Sequence, residues 1–167
     1  TLYPPLSISL TAPLQVNLIV YSLVINSVSS LISSMNFYST ITSMRSPGTG
    51  LGTIYLFPWS ICIVFTLLIL VLPVLTGATG ILVSDICFNT IYMDPAFGGD
   101  PVLYQHFFWV FGHPEVYILI VPAFGVLSHV LAGVAGSIII YGYPSMVLAM
   151  GCISILGSLV WGHHIYT

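Results

Sequence analysis

Four long apolar runs, nearly free of charge, constrain this chain more than any other feature. They cover about residues 14–44, 51–84, 101–131 and 142–162, and each has the roughly 20 residues that a bilayer crossing needs. Only 3% of the residues are charged, against about a quarter in a soluble domain. In hydrocarbon a backbone amide must find its partner within the protein, so runs of this length are expected as helices. The expected fold is an all-α membrane protein with four transmembrane helices in one unit, residues 1–167. An even number of crossings puts both ends on the same side. No internal repeat and no boundary between two units is visible. Residues 1–13, with Pro4, Pro5 and Pro13, are expected as a loop or surface lead-in.

The few charges bear on topology. Arg45, the one base, lies in the turn Arg45-Ser-Pro-Gly-Thr-Gly50 and assigns that turn to the cytoplasmic or matrix-like side. Asp85, Asp94 and Asp100 fall in the longest polar connection, on the opposite side by alternation. One base against four acids, a net charge of -3, excludes electrostatic nucleic-acid binding as a main activity. Cys62, Cys87 and Cys152 lack paired metal or redox spacing and are expected as buried free thiols. No cleavable signal pattern opens the chain. It begins with Thr1 rather than Met, so it is expected to be processed or to be a piece of something larger.

Two places carry chemistry. Glu115, the fourth acid, lies inside the third run in His113-Pro-Glu-Val-Tyr117, and ionisable side chains in an apolar span are functional candidates by default. At about 100° per residue Tyr117 shares a face with His113, and Glu115 points to roughly the opposite side. Pro114 has no amide hydrogen, which deprives the Val110 carbonyl of its helical partner. The second place is Trp161-Gly-His163-His164. Adjacent helical residues point about 100° apart, so both histidines reach one ion only at an irregular helix end. Depth is a further condition. In a regular helix His163 would stand roughly 30 Å up the fourth span, while His113 lies roughly 18 Å down the third. A shared site needs a descending helix end or tilt, and a pair of interfacial histidines is the plain alternative. If the three converge, they make an all-imidazole site with an open position, suited to copper, zinc, iron or nickel. A phenol beside it favours redox work, and copper is the expected metal. His106 and His129, near the ends of the third run, are expected as interfacial or packing residues. In the first run Ser22, Asn26, Ser29, Ser33 and Asn36 recur at intervals of four and three. This polar stripe serves either helix packing or a hydrated proton path.

The stretch Gly99-Asp-Pro-Val-Leu-Tyr-Gln-His106-Phe-Phe-Trp109-Val-Phe-Gly-His113-Pro-Glu115-Val-Tyr117 and onward to Gly125 resembles the sixth helix of catalytic subunit I of the haem–copper oxidases, nearest to the mitochondrial cytochrome c oxidase type. Trp161-Gly-His-His-Ile-Tyr-Thr167 resembles the copper-binding pair after the seventh helix of that subunit. Tyr3-Pro-Pro-Leu6, Val28-Ser-Ser-Leu31, Met35-Asn-Phe37 and Phe37-Tyr-Ser-Thr-Ile-Thr-Ser-Met-Arg45-Ser-Pro47 agree. The resemblance covers essentially the whole chain, as helices four to seven of a twelve-helix bundle.

The resemblance implies that His113, His163 and His164 bind the copper of a binuclear centre. It makes Tyr117 a tyrosine joined covalently to His113 that supplies an electron and a proton as the O–O bond breaks. Glu115 resembles the acid at the inner end of one proton path, which Ser29 and Ser30 line. Ser128 resembles a serine of the second path, leading to the tyrosine, and Trp109 a tryptophan beside the copper. The implied activity is reduction of oxygen to water with electrons from cytochrome c, coupled to proton translocation, in the mitochondrial inner membrane or, alternatively, a bacterial plasma membrane. No position here matches the haem axial ligands of the family, its second-path lysine, its first-path entrance aspartate or its magnesium ligands. Val24 stands where a histidine is usual, and Ser137-Ile-Ile-Ile140 where the connection is usually charged. The expected partners are therefore other fragments of a split subunit I that supply the haem ligands, the remaining oxidase subunits, cytochrome c and membrane lipid. A quinol oxidase of the same superfamily and a non-catalytic helix bundle are the alternatives.

Overall fold

The computed structural model describes residues 2–9 and 14–166. Thr1, Thr167 and residues 10–13 of the lead-in lie outside the described residues. Helix α1 runs over Leu14–Ser43, α2 over Leu56–Phe88, α3 over Pro101–Val134 and α4 over Tyr143–Gly157. Short 3₁₀ turns occupy Leu6–Ile8, Leu51–Thr53, Pro95–Phe97 and Trp161–Ile165, and no strand occurs among the described residues. Four helical segments, the last counted through Ile165, are long and apolar enough to cross a membrane. The protein is all-α, as its runs dictate. Of the three cysteines expected to be buried only Cys62 is, because Cys87 and Cys152 lie on helix faces that the other described helices leave exposed.

Helix α2 is the hub, packed on α1 at one side and on α3 and α4 at the other. It is also the most apolar span, with a mean hydropathy of 2.7 in its best window, and 39% of that window is buried against 11–17% for the others. Its contact with α1 runs along Val20, Ser27 and Ser34, the only buried residues of that helix. Seven residues separate each from the next, two helical turns, so the three share one face. The hydroxyls of Ser27 and Ser34 each donate 2.7 Å back to a carbonyl one turn earlier, which removes a polar atom from the seam and lets the backbones approach. Against α3, closeness depends on Gly125. A side chain there would begin 2.5 Å from Ser60 Oγ and 3.1 Å from the Phe57 Cα.

The polar stripe of α1 does not form this contact. Ser22, Asn26, Ser29, Ser33 and Asn36 are exposed, and Asn26 borders a cavity that α1 shares with α2 and α3. Within these four helices the packing role falls instead to Ser27 and Ser34.

Asp85 lies within α2 rather than in the connection after it, and is 7% exposed. Its carboxylate accepts from the amides of Tyr92 at 3.3 Å and Met93 at 3.0 Å, and from the Thr90 hydroxyl. A buried carboxylate demands such donors, and satisfying it folds the connection back over the end of α2. Asn89, at φ 52°, makes the left-handed C-cap that permits the reversal. Asp100 then caps α3 by accepting from Val102 N at 2.9 Å, with Pro101 in the first turn. Helix α3 continues through Pro114 and Pro122.

The α-helical part of the fourth span stops at Gly157. Ser158 N bonds to the carbonyls of Ser154 and Ile155, and Leu159 N to that of Leu156, tightening the chain into a turn before the 3₁₀ segment Trp161–Ile165. Fifteen helical residues rise only about 22 Å, so the terminal histidines do not reach the height a regular helix would give them.

Candidate metal centre

That early end decides the site. The segment Trp161–Ile165 folds against α3 and brings His163 and His164 onto His113. Ring centroids are 4.6 Å apart for His113 and His163, 5.1 Å for His113 and His164, and 4.3 Å for His163 and His164. One ligating nitrogen from each lies within 4.8 Å of the others. The two adjacent rings meet here at the irregular end of the span, where the α-helix has stopped at Gly157 and a short 3₁₀ segment carries the pair.

Nδ1 of His113 and Nε2 of His164 are 2.9 Å apart. Without a cation, one of them must carry a proton between the two lone pairs. A bound cation would take both lone pairs in place of that proton, at an imidazole–metal bond of about 2.0–2.1 Å. Two nitrogens on one ion stand no more than about 4.1 Å apart at that bond length, so the widest pair must close by less than about 1 Å. Rotation of an exposed imidazole accomplishes this, and His163 and His164 are exposed whereas His113 is buried. Three imidazole nitrogens fit the metals that this ligand suits, copper, zinc, iron or nickel.

The surroundings orient these rings. Trp109 stacks flat on His164, with centroids 3.9 Å apart and planes 7° from parallel. Its Nε1 donates 2.7 Å to the hydroxyl of Tyr3, 106 positions earlier in the chain. Tyr3 in turn packs edge-on against Tyr104 and Phe108. Trp161 Nε1 reaches Nδ1 of His106 at 3.5 Å, tying the terminal turn to α3. His129 accepts from Phe57 N at 3.1 Å at the start of α2. His106 and His129 thus have hydrogen-bonded structural contacts.

Tyr117 lies beside His113 as the helical spacing predicts, with ring centroids 5.2 Å apart, a contact distance for two aromatic rings. Nε2 of His113 is buried and has no hydrogen-bond partner among the described residues. Glu115 opens onto a cavity of about 240 Å³ between α1, α2 and α3, lined also by Asn26, Ser27 and Ser30. Ser30 therefore shares a cavity with Glu115, and Ser29 does not line it. Ser128 is eleven residues beyond Tyr117 on α3, roughly 16 Å along the axis, and its hydroxyl donates to the Phe124 carbonyl at 2.7 Å.

Sequence reasoning passed over Tyr3, Ser27 and Gly157. Tyr3 stood in a stretch that carries the resemblance but with no sign of its bond to Trp109, and Ser27 lay one position off the stripe. A glycine at 157 becomes informative only once its neighbour is known.

Residues 1–167 match the family described as Cytochrome C and Quinol oxidase polypeptide I. The chain is 53% identical over its full length to cytochrome c oxidase subunit 1 of Plasmodium falciparum, of which it covers 35%. It is similarly 53% identical to that of Plasmodium berghei, again covering 35%. Against cytochrome c oxidase subunit 1 of Cereibacter sphaeroides it is 46% identical over 99% of its length, covering 29% of that protein. The chain spans about a third of the length of these relatives.

Proposed function

The chain belongs to the family of cytochrome c and quinol oxidase polypeptide I, that is, subunit I of the haem–copper oxidases, and from this premise we propose that it carries the copper-binding half of an oxygen-reducing centre. His113, His163 and His164 hold the copper. The observation that carries this reading is the convergence of three imidazole nitrogens within 4.8 Å from two separate membrane segments, with a phenol on the adjoining turn.

Bound copper supplies a redox-active, Lewis-acidic centre that helps pass electrons to oxygen. The residues of this chain do the rest. Trp109 holds the plane of His164. Tyr117 gives an electron and a proton, and is joined to His113 at Nε2, the imidazole N–H and one ring C–H being lost with their two electrons to oxygen as oxidant. The lack of a partner for that buried nitrogen supports the link, because a bond there replaces an N–H that would otherwise need an acceptor. Glu115 passes protons inward from the cavity that Asn26, Ser27 and Ser30 line with it. Ser128 stands on the second path, which leads to Tyr117. The haem and its iron ligands belong to the rest of the assembled oxidase, together with the remaining subunits.

The reaction is reduction of oxygen to water with electrons from cytochrome c, coupled to proton translocation. Relatives named for cytochrome c support that donor over quinol. The greater similarity to the Plasmodium proteins than to the bacterial one favours the mitochondrial inner membrane. The test is metal analysis with X-ray absorption on the purified oxidase, with and without His113→Ala. We expect one copper bounded by imidazole nitrogens in the parent and its loss in the variant. Copper retained undiminished in His113→Ala, or absent from the parent, refutes the reading and leaves a non-catalytic helix bundle.

A further inference from the structure

Gly157 is the last residue of α4, and it lies against the face of the Tyr117 ring. A side chain built on it would begin 2.7 Å from Cε2, 2.8 Å from Cδ2 and 3.2 Å from Cζ of that ring. Ordinary contact between carbons is about 3.5–4.0 Å, so a single methyl would have to push ring and helix apart by nearly 1 Å. The backbone does not explain the glycine. Gly157 is helical and buried, and alanine is the better helix former.

Two groups near this contact belong to the metal centre. On one side the ring of Tyr117 abuts His113, which is 9% exposed and held inside α3; a close-packed neighbour yields little. On the other side the end of α4 leads in six residues to His163. Pressure at residue 157 therefore either turns Tyr117 away or lifts the end of α4, and the lift carries the histidine pair off His113.

We propose that Gly157 is a positioning residue whose missing side chain forms the seat of the Tyr117 ring, setting at one contact both the place of the phenol beside His113 and the approach of His163 and His164. The inference rests on the copper reading above. It requires that the two effects share one cause, so that removing the ring removes the need for glycine.

The experiment uses the purified assembled oxidase carrying Gly157→Ala, Tyr117→Leu or both. Copper release into an excess of chelator is followed beside the ultraviolet resonance Raman bands of tyrosine. Losing support around a metal ligand weakens binding by about 10–100-fold, so Gly157→Ala is expected to release copper at least about tenfold faster than the parent and to shift the Tyr117 bands. The double variant is expected to release it within about twofold of Tyr117→Leu alone. Unchanged release and unchanged bands in Gly157→Ala overturn the proposal, as does a double variant about tenfold or more worse than Tyr117→Leu. Should Gly157→Ala fail to assemble, the double variant decides. Assembly with copper held as in Tyr117→Leu supports the seat, and failure to assemble overturns it. A parent without copper at these histidines refutes the metal reading, and the tyrosine bands of Gly157→Ala then judge the seat by themselves.

Discussion

Replacing Trp109 by leucine tests whether the indole holds His164 in its ligating position. The stack has centroids 3.9 Å apart at 7°, and an aromatic pair of this kind contributes about 0.5–1.5 kcal/mol. The hydrogen bond from Nε1 to Tyr3, 2.7 Å long, adds a net 0.5–1.5 kcal/mol or so. Leucine removes both, a loss of about 1–3 kcal/mol. If it falls on the orientation of the imidazole, copper affinity drops by about five- to 150-fold. Tyr3→Phe removes only the hydrogen bond, and its share is about two- to tenfold. The assay is competition for copper between the purified oxidase and a chelator of known affinity. The design contains its own control, because Tyr3 does not touch His164 and acts through Trp109. The double variant should therefore be no worse than Trp109→Leu, a coupling that a double-mutant cycle measures directly. Copper affinity unchanged in Trp109→Leu refutes the reasoning. So does full additivity of the two substitutions, which would mean that Tyr3 acts by another route.

Ser30 shares the cavity of Glu115 and Ser29 does not, so the two neighbours should separate in a proton-uptake measurement. Ser30→Ala removes a water-binding hydroxyl and should slow uptake several-fold, within the roughly 0–2 kcal/mol associated with an ordered water, while Ser29→Ala stays within about twofold; equal effects would place the path elsewhere. Asp85→Asn exchanges an acceptor-only group for one whose amide faces donors from Tyr92, Met93 and Thr90. A loss of about 2–4 kcal/mol should appear as a lowered Tm and faster proteolysis within residues 89–100, and a variant as resistant as the parent would deny the carboxylate this role.

Much of this protein is local and could be read residue by residue. Runs too apolar for water and long enough for a bilayer have one common solution, the helix, so the four spans follow from solvation alone. Helical spacing likewise put Tyr117 beside His113 before any tertiary contact was known, and Pro101 and Gly142 stand at or beside helix starts, as turn chemistry demands. The motif around His113 and the terminal pair identified the family for the same reason, since short runs keep their meaning without coordinates.

What spacing could not supply was depth and rotation. Carried to its end as a regular helix, the fourth span would have left His163 too high to meet His113. The turn after Gly157 and the 3₁₀ segment bring the pair back. Which face of α1 met α2 was decided by Val20, Ser27 and Ser34 rather than by the more visible stripe, because small side chains at a seam matter through the partner they admit. Tyr3 reached Trp109 across 106 positions, and Gly157 admitted a ring from another helix. These relations belong to pairs of surfaces. A sequence specifies each surface by its own chemistry, and only close contact between helices decides which atoms finally meet.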